Sequence, residues 1–308
     1  MNLKEVNDNF TRFLNSPTAS DTLIKFSLIR DQLGIDKYGI SSASTAIDNY
    51  IKELKSQNLG FKISNFLTKL YARADNPVYF FPGKTKQRSC CLDENVNCLI
   101  AGAGPNGLRV SIELALLGAN TVVVEKRTNL DRQNHVKLWS SSVDDLIRLQ
   151  LKTFGLELGS GSIQHVPIAD LQLALMKVAL LFGVEFYLGT SYKTVRTKGK
   201  HWVPSTLPQL PGNCELSKRV DHVIGADGKE TSITGFEINQ IDNKQSIGVT
   251  AAFVNDQKDI VTERDGRRVS YLQQIGGVTS YGNPDLFNDL KEHGLELEIL
   301  GKASIYRV

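Results

Sequence analysis

The sequence predicts an α/β protein: a parallel sheet wrapped by helices, preceded by a helical segment and followed by β-rich sequence. Three observations carry that prediction. Apolar residues recur at helical spacing through roughly the first 75 residues. A strand–helix–strand pattern then surrounds a Gly-x-Gly-x-x-Gly run at 102–107. From Ser246 onward, strand-like apolar runs and alternation take over.

Composition bounds the rest. With 308 residues, 41% hydrophobic and 22% charged, the chain has enough apolar sequence for a packed core in one large domain or two ordinary ones. Its net charge of +3, from 36 basic and 33 acidic residues, is too balanced to argue for nucleic acid, and no Lys/Arg block appears. An acidic protein partner is compatible with it. Cys90, Cys91, Cys98 and Cys214 form no CxxC pair, so neither a zinc site nor a disulfide framework is expected, and a reducing compartment is. The charged start MNLKEVNDNFTRFLNSPTAS does not read as a signal peptide. The most apolar stretch, LQLALMKVALLFG, is too short to span a bilayer and contains Lys177, so a soluble cytoplasmic protein without membrane insertion is expected.

In chain order, Phe10, Phe13 and Leu14 form the first helical stripe, and Leu23, Ile24, Phe26, Leu28 and Ile29 the second, with Ser20 and Asp21 as its expected caps. Ile47, Tyr50, Ile51 and Leu54 form a third. DNPVYFFPGKTKQRS, residues 75–89, reads as a connector. A short apolar strand is expected at 97–101, a helix at 105–117 stopped by Gly118, and a strand at 121–125. Pro167 and Asp170 open an apolar helix that ends at Gly183, and VEFYLGTSYKTV reads as a strand after it. VDHVIGADG, residues 220–228, is a further strand running into a tight turn.

The glycine run has a complete setting of strand, turn, helix and strand. Gly102 permits the tight turn, and Gly107 lets helix and strand pack closely. Gly104 lets the backbone approach a pyrophosphate, and a glycine-only backbone conformation is expected there as a second reason. The helix N-terminus offers free N–H groups and a positive dipole end to phosphates. Glu125, at the tip of the second strand, is placed to accept hydrogen bonds from ribose hydroxyls. These residues predict dinucleotide binding and leave FAD and a nicotinamide cofactor both open. The internal position of the run favours FAD. So does the turn Gly225-Ala226-Asp227-Gly228, which resembles the Asp-Gly element of aromatic-hydroxylase-type flavoprotein monooxygenases; it also reads as an ordinary turn after a strand.

Several longer blocks carry a more specific likeness. GAGPNGLR, ELALLGA, VVVEKRT, Arg132, Asn134, Leu138-Trp139 and DLQLALMKVALLFGVEF together resemble the flavin monooxygenase domain of the MICAL family, enzymes that oxidise methionines of filamentous actin. The likeness runs from the helical start to GFEINQ, and more loosely to about Leu290. It implies a Rossmann-like FAD-binding domain of the aromatic-hydroxylase type with a helical N-terminal extension and an incomplete inserted β-rich domain. Its implied boundaries are 1–89 for the extension and connector, 90–240 for the FAD-binding part and 241–308 for the substrate-side β part.

Residue by residue, the resemblance implies that Gly102, Gly104, Asn106 and Gly107 face the FAD pyrophosphate, with Glu125, Lys126 and Arg127 on the adenosine side. Arg132, Gln133 and Asn134 would approach the phosphates and the flavin, Trp139 would lie close to the flavin, Tyr192 against the cofactor, and Asp227 in the Asp-Gly element. The residues themselves also admit plainer roles. Trp139 is apolar-flanked and compatible with core, Lys126 and Arg127 with a solvated strand end, and Tyr192 with covering a sheet face. Departures from the family are Asn106 in place of Cys, Gln133 in place of His, and Ala169 where an Arg is usual. The aromatic that the family places before an Asn near 283 aligns with Gly282, so its role is not transferred. The family's later Gly-Asp element is not found before residue 308, which predicts a truncated or degenerate flavin site.

The implied activity is FAD-dependent, NADPH-consuming oxygenation of methionine in filamentous actin, promoting depolymerisation, at a cytoskeleton-associated location. No catalytic side chain is implied, because a thioether sulfur needs no general base. The alternatives are a flavin hydroxylase or oxidase of a small molecule that releases hydrogen peroxide, and an inactive product that serves as a binding module.

Overall fold

The computed structural model describes residues 2–35, 40–58, 60–72, 96–132, 134–154, 164–228, 231–234, 247–254, 261–264, 267–270 and 274–282. Two compact units result, one of 1–132, 139–162 and 168–236, the other of 133–138, 163–167 and 237–308. The expected connector at 75–89 lies outside the described residues.

The first unit begins with four helices: α1 (Leu3–Leu14), α2 (Ala19–Leu33), α3 (Ile40–Ser56) and α4 (Phe61–Tyr71). They form because one stripe of each is apolar and can be buried. Phe10 stacks on Tyr50 with centroids 5.1 Å apart, and Phe13 leans on Phe26 at 5.3 Å. Burying such a ring stabilises the fold by about 1.5–3 kcal/mol. The second helix corrects two expectations. Thr18, not Ser20 or Asp21, is its N-cap, accepting from the Asp21 N–H at 3.2 Å. Its buried stripe is Ala19, Thr22, Phe26 and Ile29, which leaves Ile24 and Leu28 exposed.

The sheet follows. Strand β1 (Asn97–Ala101) leads through the turn into α5 (Pro105–Leu116), and β2 (Asn120–Glu125) returns parallel to β1. Gly118, at φ +96°, ends the helix as expected. The chain next contributes β3 (His135–Leu138), α6 (Ser140–Arg148) and β4 (Gln164–Pro167). Helix α7 (Ile168–Leu181) leads to β5 (Glu185–Leu188). The stretch expected to be one strand is two: after the turn at Gly189 (φ +66°), β6 (Ser191–Lys198) forms a hairpin with β7 (His201–Leu207). Strand β8 (His222–Gly225) completes a four-stranded parallel sheet in the order β5-β2-β1-β8.

The alternation of the strands gives the sheet two buried faces. Leu99, Ala101, Val122 and Val124 pack with Tyr192, Leu210, Cys214, Leu216 and Val220, so the hairpin and the segment after it cover one face. Helices α5 and α7 belong to the other. Helix α7 is buried on nearly every side, from Leu171 through Leu181 apart from Leu173, because the N-terminal helices pack against it as well. Tyr71 at the end of α4 donates a hydrogen bond to the Leu181 carbonyl, and Lys177 donates to the carbonyls of Leu14 and Ser16 at 2.8 and 2.9 Å. The apolar run LQLALMKVALLFG is thus the central helix of a layered domain. Among the described residues no helix is long and apolar enough to cross a membrane.

The second unit is β-rich. Strands β3 and β4 pair antiparallel, β9 (Ile247–Val254) pairs antiparallel with β12 (Gln274–Gly282), and β10 (Val261–Arg264) with β11 (Arg267–Ser270).

Candidate functional site

The sheet leaves β1 in two directions. The chain passes from β1 to β2 and β5 on one side, then returns as β8 on the other. The carboxyl ends of β1 and β8 therefore meet where the strand order reverses, the position at which open α/β sheets take ligands. Ala101 lies beside Gly225, the Ala226 N–H donates to the Ala101 carbonyl at 2.8 Å, and the Gly102 N–H donates to Val124 at 2.8 Å.

The three glycines of the turn are required for different reasons. Gly102 has φ +108°, and a Cβ there would stand 2.6 Å from the Ala226 carbonyl oxygen. A Cβ on Gly107 would strike the Gly102 carbonyl oxygen and lie 2.9 Å from Ala226 Cβ. The protein's own packing excludes a side chain at both. Gly104 is different: with φ −68° and ψ 166° its backbone is open to any residue, and a Cβ would meet only Ala226 O at 3.5 Å. The expected glycine-only conformation at 104 is therefore wrong. What a side chain at 104 would obstruct is approach from outside.

That approach leads to the start of α5. Gly104 caps the helix without a side chain, Pro105 occupies its first turn and Asn106 is exposed. The first N–H groups of the helix are thus not occupied by a capping side chain, and the positive end of the dipole favours an anion there.

Glu125 lies at the adjoining end of β2, where it is 3% exposed. Its Oε2 accepts from the Ala103 N–H at 2.9 Å, and Oε1 accepts from both the backbone N–H and Nε of Arg127 at 3.0 Å. Burial pushes its carboxyl up, but these hydrogen bonds and the Arg127 charge outweigh it and hold the group below the usual range. Three of about four acceptor positions are thereby filled, which leaves one for a ribose hydroxyl. At the next peptide, on the other side of the Ala103 Cα, Gln172 Nε2 from α7 donates to the Ala103 carbonyl at 2.6 Å.

Asp227 follows β8. Its Oδ2 accepts from both the N–H and the hydroxyl of Ser232 at 2.6 Å, and the group is held low by these bonds against the opposing effect of burial. Two buried acceptors beside the turn, Asp227 Oδ1 and Gln172 Oε1, have no hydrogen-bond partner among the described residues. Unfilled acceptors suit a ligand rich in hydroxyls, and N–H groups with backbone access suit one with phosphates. The residues present therefore fit the polyol and pyrophosphate of a dinucleotide such as FAD.

Of the site residues read from the sequence, Gly102, Gly104, Asn106, Gly107, Glu125, Lys126, Arg127 and Asp227 gather at this end of the sheet. Lys126 is exposed and Arg127 is tied to Glu125. Arg132 is exposed in the segment after β2. Trp139 is the N-cap of α6 and 69% exposed, so it is not core. Helix α6 is fastened to α5 by Arg109, whose Nε donates to Asp145 at 2.6 Å. Tyr192 is buried among Leu99, Val122 and Val124 on the hairpin-covered face, where it serves the core. Gln133 lies outside the described residues, and Asn134 is exposed in the second unit.

Gln172 was not singled out from the sequence. Its signal was present: it is one of two polar side chains, with Lys177, along a helix otherwise apolar from Leu171 to Leu181. A buried amide in such a helix needs a partner.

No protein-family model matches the chain. It is 35% identical over 296 residues to the human protein named [F-actin]-monooxygenase MICAL1, covering 94% of this chain and 25% of that one. Human [F-actin]-monooxygenase MICAL2 is 34% identical over 295 residues, again with 94% of this chain but 14% of the relative. The zebrafish (Danio rerio) protein mical2b, also named [F-actin]-monooxygenase, is 33% identical over 297 residues, 16% of its length. The chain thus spans about a quarter or less of these relatives. Among solved structures, OxyS anhydrotetracycline hydroxylase from Streptomyces rimosus matches 52% of this chain and 38% of its own at 18% identity and a TM-score of 0.42. That likeness is too slight to argue from.

Proposed function

Because the chain belongs to the MICAL family of [F-actin]-monooxygenases along 94% of its length, we propose that it is part of an FAD-dependent, NADPH-consuming monooxygenase that oxidises methionines of filamentous actin and so promotes depolymerisation. The observation that carries the flavin half of this reading is the glycine turn. Packing demands Gly102 and Gly107, whereas Gly104 stands clear beside an uncapped helix start. The actin half rests on the relatives' names alone. A cytoplasmic, cytoskeleton-associated location follows from the same reading.

When bound, FAD would supply the redox chemistry that joins NADPH to oxygen transfer. The chain's own part is to bind and orient. The N-terminus of α5 holds the pyrophosphate, Gly104 lets it come close, and Glu125 accepts from the adenosine ribose through its remaining lone pair. Asp227 Oδ1 and Gln172 Oε1 accept from hydroxyls along the cofactor. Lys126, Arg127, Arg132, Gln133, Asn134, Trp139 and Tyr192 keep the cofactor roles that the family resemblance gives them only as part of this proposal. The burial of Tyr192 counts against a direct one. Conversion of a thioether to a sulfoxide makes an apolar contact polar, which is how such a reaction would loosen a filament.

The test is flavin absorbance of the purified protein, followed by NADPH oxidation with and without filamentous actin and peptide mass spectrometry of the actin. In a flavin-loaded protein that carries the rest of the family-type monooxygenase domain, actin-stimulated NADPH use and methionine sulfoxide are expected. Sulfoxide that vanishes on adding catalase would point instead to diffusible peroxide, the chemistry of a small-molecule oxidase.

A further inference from the structure

The β6–β7 hairpin carries a concentration of charge that the core does not explain. Between Ser191 and Leu207 it has four basic residues, Lys193, Arg196, Lys198 and Lys200, and no acidic one. The net charge of the whole chain is only +3, so everything outside the hairpin is on balance slightly negative. All four are exposed, and among the described residues none has an ion pair or hydrogen bond through its side chain. The neighbouring cations differ: Lys218 pairs with Glu215 and Arg219 with Asp221.

The register arranges them. Val195 and Pro204 are directly opposed and turned toward the core, so Arg196 and Lys198, with His201 across from Lys198, share the outer face. Arg196 and Lys198 are two strand positions apart, about 6.6–7 Å. Lys200 sits in the turn after Gly199 (φ +63°), and Trp202, paired with Thr197, is 54% exposed at the tip. Trp202 lies on the Val195–Pro204 face of the hairpin and not on that of Arg196 and Lys198, so the outer face is a purely cationic one. Like charges this close repel one another, and an opposite partner relieves that.

We propose that the outer face and turn of this hairpin are a docking surface for an acidic protein segment, with Arg196, Lys198 and Lys200 facing its carboxylates. Nucleic acid is the poorer fit. A single-strand surface needs a basic groove with several stacking aromatics, whereas this hairpin has one exposed ring, on the side away from Arg196 and Lys198. The proposal stands on the hairpin and does not depend on the function proposed above.

The experiment compares binding of poly-L-glutamate by the unaltered protein, by the triple variant Arg196→Glu/Lys198→Glu/Lys200→Glu, and by Trp202→Ala. A second triple variant, Lys52→Glu/Lys55→Glu/Lys62→Glu, changes net charge equally on exposed helical positions far along the chain from the hairpin. Circular dichroism confirms that each is folded. The hairpin triple variant is expected to weaken binding at least roughly tenfold and flatten its salt dependence, with Trp202→Ala, on the opposite face, and the helical triple variant both changing it far less. Equal loss in the two triple variants would mean bulk charge and overturn the proposal. So would tighter hairpin-dependent binding to single-stranded RNA or to phosphatidylserine vesicles than to poly-L-glutamate.

Discussion

Gln172 and Ala103, 69 residues apart in sequence, are joined by a 2.6 Å hydrogen bond from the side-chain amide to the backbone carbonyl. The same residue donates its own N–H to Glu125, so the two peptides that flank the Ala103 Cα, between Gly102 and Gly104, are both held. Replacing Gln172 by Leu keeps the volume and orphans a buried carbonyl, a loss of about 1–3 kcal/mol. A lower melting temperature and roughly tenfold weaker FAD binding are expected, read by thermal unfolding and flavin titration. If both stay unchanged, the amide is not supporting the turn.

Gly104→Ala and Gly107→Ala are expected to separate binding from folding. The first meets nothing closer than 3.5 Å and needs no unusual backbone, so the protein should fold normally and lose flavin. The second collides with the Gly102 carbonyl and should destabilise the fold itself, by about 1–3 kcal/mol as overpacking does. Circular dichroism melts and flavin absorbance of the two variants check this. Equal melting temperatures would refute it.

The depressed Glu125 carboxyl links the site to pH. Its folded pKa lies below the unfolded value, so its contribution is fully present above about pH 4.3 and is lost as pH falls through the folded value. Asp227 has the same sign. Acid unfolding of the intact protein should therefore steepen below about pH 4, and Glu125→Gln should make that limb shallower. Equilibrium unfolding across pH 2–6 measures it, and identical profiles would mean that the carboxylate is not linked to folding.

Lys177 runs the other way. Burial lowers its ammonium to about 8, against a smaller opposing effect of Asp21, and Asp170 is the acid that shares its roughly 210 Å³ cavity. Between about pH 8 and 10.4 the unfolded chain binds more protons at this side chain, so stability should rise with pH across that interval. Lys177→Met should abolish the rise. Denaturant titrations at pH 7.5 and 10 are the check, and a rise that persists in the variant would assign it elsewhere.

The βαβ unit and Glu125 could be read from the sequence because their signals are local: glycine spacing, strand length and a helix stop within 24 residues. Position was harder to read than type. Thr18, Ser20 and Asp21 are all competent caps, and only the geometry selects Thr18. Tyr192 and Trp139 are both amphipathic side chains in partly apolar surroundings, yet the first lies in the core and the second in water. The pairing of β3 with β4 joins segments about 29 residues apart, and no short-range pattern reports such a contact. Gln172 was hidden by its setting, since a helix that reads as uniformly apolar draws attention to its face and not to its one amide.

Helix α7 touches two places at once. At Gln172 it holds the glycine turn, and five residues later, about 7.5 Å along its axis, Lys177 holds the carbonyls that end α1. A close-packed rod does not bend over so short a span; it slides or turns as one piece. The glycine turn and the end of the first helix are therefore fastened to one rigid element, within about a turn and a half of helix of each other.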